Sequence, residues 1–421
     1  MQVGIIADDL TGAMDSGAQL ARAGYRVAVM FHDAPFPPSG DLDVVVVDTD
    51  SRQRDTGAAG ARVSEAARRL KDARVLYKKI DSTLRGPVAE EVEAAFREGG
   101  RSGAIIAPAF PGNGRTTHKG FLMVHGEPVQ ETGFSEDPGT PVKEGHIPTL
   151  LAGTGAIEIG TLETGVLSEA ASVRRALEEY RWVVADAAHD THLKALVEAV
   201  PDPSEVLWVG SAGLVKAYGD VYPGPRAGEN PSPDVATGRN VSGLVAPSGR
   251  VLAVVGSTNE TSRGQLRRLE EEPGVEAVTL SAADLAAGKD GPVEEASRTA
   301  GSLLTDGKSV ALRSSEEELP EGAAGRVVRG LAEVVSKLSE GGLFDALVLT
   351  GGDTAIHVSR RLGARGIMLE GEIEPGVARG TLICPSPYPT ITKAGGFGTP
   401  ETLLHALHAL GRGPEGKGKQ L

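Results

Sequence analysis

Residues Val44–Val47 are four consecutive valines. A strand without polar alternation must be covered on both faces, which is the habit of parallel sheets clad by helices. Short apolar runs of this kind recur at Val3–Ala7, Tyr25–Phe31, Val75–Lys78 and Ala104–Ala107. Between them Ala13–Ala23, Ala58–Leu70 and Val88–Arg97 read as amphipathic helices, and Val183–Ala185 and Val206–Val209 resume the rhythm later. The alternation predicts an α/β fold built from βα units.

Residues Val221–Gly249 interrupt it with Pro223, Pro225, Pro231, Pro233 and Pro247 among glycines and small polar residues. Such a stretch marks a domain boundary. A second series follows. Strands are expected at Val251–Val255, Ala277–Leu280, Val310–Arg313 and Ala346–Thr350. Helices are expected over Ser262–Glu271, Val293–Thr305, Ala323–Ser339, Ile356–Leu362 and Pro400–Leu410, with paired strands in Ile367–Cys384. A chain of 421 residues also exceeds what one core organises. The expectation is two domains, residues 1–222 and 250–421 joined by a linker over 223–249, each on a mainly parallel sheet flanked by helices.

Composition removes several classes. The net charge of −14 and the 4% aromatic content argue against nucleic-acid binding. A single cysteine, Cys384, excludes a disulfide framework and a cysteine zinc site. No apolar run reaches membrane-spanning length. The start, MQVGIIADDLTG, reads as a strand followed by carboxylates rather than a signal peptide. These features predict a cytoplasmic protein with no nucleic-acid or membrane partner, and a homo-oligomer is compatible with them. The 56 glycines need a reason, since glycine belongs where backbone turns tightly or meets a ligand.

Three polar loops follow the early strands. Asp8, Asp9 and Asp15 cluster in IIADDLTGAMDSG, where strand gives way to helix. Ligands of doubly wound sheets sit outside the carboxyl ends of strands, and two adjacent aspartates exceed what a helix cap requires. VVVVDTDSR invites comparison with a phosphatase of the D-x-D-x-T/V pattern, but Arg52 stands at the last position and the loop follows the third strand. Arg52 suits a carboxylate or phosphate clamp, with a plain salt bridge as the alternative. YKKIDSTLRGPVAEE places Lys78, Lys79, Asp81, Ser82, Thr83 and Arg85 before a helix, a pattern suited to an anion and a sugar hydroxyl. The long segment Phe110–Leu150 adds Arg115, His118 and Lys119 and is too long for a bare connector. His189 and His192 have HxxH spacing but no third ligand nearby, so they read as surface residues of a helix.

The second half carries glycine-rich turns. VVGSTNETS has Ser257 and Thr258 between strand and helix. LVLTGGDTA has Gly351 and Gly352 at the turn, with Asp353 and Thr354 as caps. TKAGGFG adds Gly395 and Gly396 beside Lys393. Backbone N–H groups at such turns cradle phosphates, and three in one domain point to a nucleotide. No G-x-G-x-x-G opens a helix after a strand, and GSLLTDGKS (301–309) has wrong P-loop spacing and runs from helix to strand.

Taken together, DDLTGAMDSG, DTDSR, KKIDSTLRG, PAFPGNGRTTHKG, HGEPVQET, GSTNETS, TGGDTA and TKAGGFG resemble the four-carbon acid sugar kinases. The segments fall in order across nearly the whole chain, most weakly over Glu158–Gly249. The resemblance implies ATP-dependent phosphorylation of erythronate, threonate or a 3-oxo-tetronate, with a terminal hydroxyl as acceptor. It implies an acid-binding first domain, an ATP-binding second domain, Mg²⁺ on the phosphates and chemistry in the cleft between them. On that pattern Asp8 or Asp9, Arg52 and the Lys79–Arg85 loop contact the acid, while Ser257, Gly351–Thr354 and Gly395–Gly396 contact ATP. The base is expected to be Asp8 or Asp9, with Asp81 and Asp353 as alternatives. A phosphosugar hydrolase or isomerase and a non-catalytic sugar-acid sensor are the competing readings of the residues.

Overall fold

In each half of the chain the apolar runs become strands of a mainly parallel sheet. The computed structural model describes residues 1–36, 42–137, 139–153, 158–228, 249–317, 320 and 322–411. The chain divides into two compact units, Met1–Glu229 and Asn230–Leu421. Most of the expected linker 223–249 lies outside the described residues.

The first unit opens with β1 (Val3–Ala7), α1 (Leu10–Arg22), β2 (Val27–Phe31), β3 (Val44–Asp48), α2 (Thr56–Leu70), β4 (Val75–Lys79), α3 (Val88–Gly99) and β5 (Gly103–Ala107). The long segment 110–150 then folds into a small antiparallel sheet of β6 (Arg115–His118), β7 (Phe121–Val124) and β8 (Glu127–Pro128), followed by α4 (Ile147–Ala152). The unit closes with β9 (Ile159–Leu162), α5 (Ala170–Glu179), β10 (Trp182–Ala185), α6 (Asp190–Ala199), β11 (Val206–Gly210) and α7 (Ala212–Val221). Its main sheet has the order β2-β3-β1-β4-β11-β5-β10-β9, and every neighbouring pair is parallel. The valines of β3 are at most 5% exposed, as an all-apolar strand demands.

From β1 the chain crosses to β2 at one edge of this sheet through α1, and from β4 it crosses in the opposite direction, past β11 to β5, through α3. Neighbouring strands whose connections leave in opposite directions open a crevice at their carboxyl ends. Right-handed crossovers put α1 and α2 on opposite faces, where α1 packs with α7 and α2 with α3. Helix α1 begins at Leu10, three residues before the sequence expectation, because Asp9 caps it through the Gly12 N–H at 2.9 Å.

The second unit contains β12 (Val251–Val255), α8 (Glu260–Glu270), β13 (Val275–Leu280), α9 (Ala282–Ala286), α10 (Gly291–Thr305), β14 (Ser309–Ser314), α11 (Ala324–Glu340), β15 (Ala346–Thr350), α12 (Gly352–Arg361), β16 (Gly366–Glu374), β17 (Val377–Leu382), β18 (Pro389–Lys393) and α13 (Thr402–Gly411). Its order is β13-β14-β12-β15-β18-β17-β16, parallel as far as β18 and antiparallel through β17 and β16. One apolar cluster joins β12, β15 and β18 to α8 and α13 through Ala253, Val348, Ile391, Leu269 and Leu403. The strands that end in glycine turns are thereby held side by side.

Candidate active site

In the first unit, Ala7 pairs with Asp48 on one side and Lys79 on the other, so β3, β1 and β4 end level. The three polar loops meet there. Arg52 is their hub. Its Nε donates to Asp8 Oδ2 at 2.7 Å, its Nη1 and Nη2 to Asp9 Oδ2 and Oδ1 at 2.7 Å, and Nη2 lies 3.5 Å from Asp81 Oδ1. Arg52 is therefore neither an open anion clamp nor a surface salt bridge: its side chain is 14% exposed and its fork is filled from within. Burial works against its charge, but Asp8, Asp9 and Asp81 outweigh burial and hold the guanidinium ionised.

The carboxylates differ in what remains to them. Asp81 is committed to its own loop. Its Oδ2 accepts from the Thr83 N–H at 3.2 Å, the Thr83 hydroxyl and Arg85 Nε at 2.9 Å, and its Oδ1 accepts from Arg85 Nη2 at 3.0 Å. Burial alone would raise its pKa, yet Arg52 and Arg85 hold it well below the carboxylate range. Asp9 is spent on Arg52 and the α1 cap, and burial together with the Asp8 charge pushes it up. Asp8 is opposed by burial too, but Arg52 and Lys79 bring it down to about 2. Its Oδ1, buried, has no hydrogen-bond partner among the described residues.

The ammonium of Lys79 lies 3.7 Å from that oxygen, on a side chain only 5% exposed. Among the described residues no hydrogen bond leaves Lys79 Nζ. A Cβ on Gly12 would sit 2.5 Å from Lys79 Nζ and 2.7 Å from Asp9 Oδ1, so glycine is what makes room for the ammonium. Asp15, further along α1, is pushed up to about 6 by burial against the pull of Lys79. Ser82 lies half-buried between Asp81 and Thr83.

Sequence reasoning missed the support beneath this cluster. Lys78, fully buried in β4, pairs with Glu91 at 2.8 Å, and Glu91 accepts from the Ser51 hydroxyl at 2.5 Å. Ser51 meets Thr49 at 2.8 Å, which donates to the Ala7 carbonyl at 2.7 Å, so one buried chain ties the Asp48–Arg52 loop to β1 and α3. A lysine inside an apolar strand was the available signal. The start of α3 is not an open anion site, because Glu90 and Glu91 already occupy its first turn. Asp50 is engaged by Arg54 at 2.6 Å and Arg62 at 3.0 Å, which leaves the phosphatase pattern without its second aspartate. Arg85 also reaches Asp137 at 3.5 Å, and Arg115 lies in the field of Asp81 and Arg85. His192 sits on α6, where its Nδ1 accepts from the Ala188 N–H at 3.1 Å.

In the second unit β12, β15 and β18 are neighbours, with Val255 level with Thr350 and Thr350 level with Lys393. Their three turns pack on one another. A Cβ on Gly256 would strike the Thr354 hydroxyl, and one on Gly395 would strike the Ser257 hydroxyl. Gly351 has φ 97°, a conformation open to glycine. It stands at the cap position of α12, so the expectation that Asp353 and Thr354 cap this helix is corrected: no side chain caps it, Asp353 is exposed in its first turn beside Gly352, and Thr354 is buried. The first N–H groups of α12 thus lack a side-chain acceptor, as an anion site requires. Asn259 caps α8 through the Thr261 N–H at 2.9 Å, beyond Ser257 and Thr258.

A parallel sheet that gathers carboxylates, cations and hydroxyls at its switch point, and a second that gathers three glycine turns, define a polyol- or acid-binding unit joined to a phosphate-binding one. Residues 3–218 match the family model for a sugar-binding N-terminal domain, and residues 252–403 match that for a nucleotide-binding C-terminal domain. A D-threonate kinase of Bordetella bronchiseptica is 34% identical, covering 97% of either chain. A D-erythronate kinase of Heliobacterium modesticaldum is 30% identical, covering 96% of either chain. A Salmonella typhimurium LT2 structure described as a putative tRNA synthase superposes with a TM-score of 0.79 over 96% of this chain and 98% of that one, at 24% identity, and shows the fold alone. The chain belongs to the family of four-carbon acid sugar kinases. No helix among the described residues is long and apolar enough to cross a membrane.

Proposed function

We propose that this chain is an ATP-dependent kinase that phosphorylates a four-carbon acid sugar (erythronate, threonate or a 3-oxo-tetronate) at its terminal hydroxyl, in the cytoplasm. The observation that carries the reading is the pair Asp8 Oδ1 and Lys79 Nζ, a buried carboxylate oxygen and a buried ammonium that have no hydrogen bond to each other or to other described residues. Buried charges left in this state call for a polar ligand. An acceptor hydroxyl would donate to Asp8, and the acid's carboxylate would lie on Lys79 with the Ser82–Thr83 hydroxyls beside it. Arg52, Asp9 and Asp81 then position rather than react, since their polar atoms are already spent.

Asp8 takes the hydroxyl proton as the alkoxide oxygen bonds to the γ-phosphorus. The bond from that phosphorus to the β-phosphate oxygen breaks, ADP leaves, and Asp8 later returns the proton to water. The nucleotide phosphates would lie on the turns at Ser257–Thr258, Gly351–Thr354 and Gly395–Gly396. Thr350, whose buried hydroxyl lacks a partner among the described residues, ends the strand beneath them. No cluster of three metal-ligating side chains occurs among the described residues. That suits Mg²⁺ held mainly by phosphate and water, with Asp353 as the carboxylate of the cradle. When bound, Mg²⁺ supplies charge neutralisation on the phosphates.

Coupled ADP release over D-erythronate, D- and L-threonate and the 3-oxo-tetronates tests the reading. One of these acids drives ADP release above the rate of ATP hydrolysis without acid. A folded protein that releases no ADP with any of them refutes it.

A further inference from the structure

The third glycine turn of the second unit contains a peptide free to face either way. The Phe397 N–H donates to the Ala394 carbonyl at 3.2 Å, closing a four-residue turn with Gly395 and Gly396 at its centre. The two common forms of such a turn differ by a flip of the central peptide, and the flipped form needs positive φ at the third residue. Two glycines allow both forms at little cost. Neither Gly395 nor Gly396 has positive φ here, so the turn stands in the first form.

The Gly395 carbonyl is held in this sense by two donors. The Ser262 hydroxyl donates to it at 2.7 Å and Lys393 Nζ at 3.3 Å, and Lys393 Nζ also donates to Ser262 Oγ at 3.1 Å. Ser262 is 0% exposed and Lys393 4% exposed. Among the described residues no carboxylate lies within ion-pair distance of Lys393, whose ammonium burial pulls down to about 8. A trans peptide points its N–H opposite to its C=O. With the Gly395 carbonyl turned toward Lys393 and Ser262, the Gly396 N–H turns away from them, and it has no acceptor among the described residues.

We infer that Lys393 and Ser262 are positioning residues that lock the Gly395–Gly396 peptide so that the Gly396 N–H is presented as a donor to a nucleotide phosphate. The inference rests on the kinase reading for the identity of the ligand. It separates from that reading in what each residue does: Ser262 carries no charge, so its effect cannot arise from attraction to phosphate.

Isothermal titration of the full chain with ADP and with adenosine tests this, in wild type, S262A, K393M, G396A and the double variants with G396A. Thermal melts check folding. Loss of one such hydrogen bond should weaken ADP by about three- to tenfold in S262A, leaving adenosine unchanged. K393M should lose more, since it removes charge as well. A Cβ on Gly396 meets only Asn259 Nδ2, at 3.7 Å, in the observed form, but opposes the positive φ of the flipped form. The loss caused by S262A should therefore be smaller in the G396A background than in wild type. Wild-type ADP affinity in S262A, equal losses for ADP and adenosine, or full additivity with G396A would each overturn the lock. A wild-type protein that binds no ADP would instead refute the kinase reading.

Discussion

Replacing Arg52 by Met removes three donors, each at 2.7 Å from Asp8 or Asp9, and leaves Lys79 as the nearby cation for both carboxylates, joined by Lys78 for Asp8. Breaking a buried pair from one side costs about 3–5 kcal/mol, because the partner stays charged without compensation. Asp8 gives an independent measure of scale. Its pKa falls from 3.8 to about 2, a linkage of about 2 kcal/mol. The folded-state value is depressed, so this stability is present above the ordinary pKa and is lost as pH falls toward 2. In R52M the sign reverses for Asp8, which burial now raises, and the upward shift of Asp9 grows as its Arg52 partner is lost, so the variant's penalty is full at pH 8 and shrinks as acid protonates them. Urea unfolding from pH 5 to 8 measures this. Both tryptophans, Trp182 and Trp208, lie in the first unit, so their fluorescence reports that unit. R52M should lose about 3–5 kcal/mol at pH 8 and visibly less at pH 5, and R52K should recover part of the loss. A penalty under about 1 kcal/mol at pH 8, or one that grows with acid, would refute the hub assignment.

Gly12→Ala would raise helix propensity in α1 by about 1 kcal/mol, yet its Cβ would stand 2.5 Å from Lys79 Nζ. The kcat/KM for the acid should fall at least about tenfold while ADP affinity holds; unchanged acid kinetics would show that Lys79 is not where the ligand sits. Asp8→Asn should lower kcat by about 10²- to 10⁴-fold. Asp81→Asn, which loosens the Thr83–Arg85 loop, should act mainly on KM, and steady-state kinetics of the two variants separate base from scaffold. Gly351→Ala has room for its methyl, the nearest atom being 3.6 Å away, but not for φ 97°. The strain of about 1–3 kcal/mol should appear as weakened ADP binding in calorimetry, and wild-type affinity would argue against a phosphate at this turn.

Much of the fold was legible because period and chemistry agree along the chain. Val44–Val47 and Val251–Val255 carry no polar side to show to solvent, so parallel pairing under helices follows from the residues themselves. The boundaries that slipped were those set by caps. Asp9 starts α1 before the apolar pattern begins, and Gly351 starts α12 with a backbone angle that the pattern does not encode. The segment 110–150 hid three short strands because pairs such as Glu127–Pro128 are too brief for periodicity to register.

The roles within the site are another matter. Sequence alone determined which residues gather at the strand ends: Asp8, Asp9, Arg52, Lys79 and Asp81 all follow apolar runs that must lie side by side in one sheet. It could not tell those aspartates apart, since each is a carboxylate at a strand end. Only the tertiary structure decided that Arg52 consumes Asp9, that Arg85 and Thr83 consume Asp81, and that Asp8 keeps one buried oxygen without a hydrogen bond, 3.7 Å from Lys79. The physical reason is that hydrogen-bonding capacity is a property of neighbours distant along the chain, 44 residues for Arg52 and Asp8, and apolar periodicity carries no record of them.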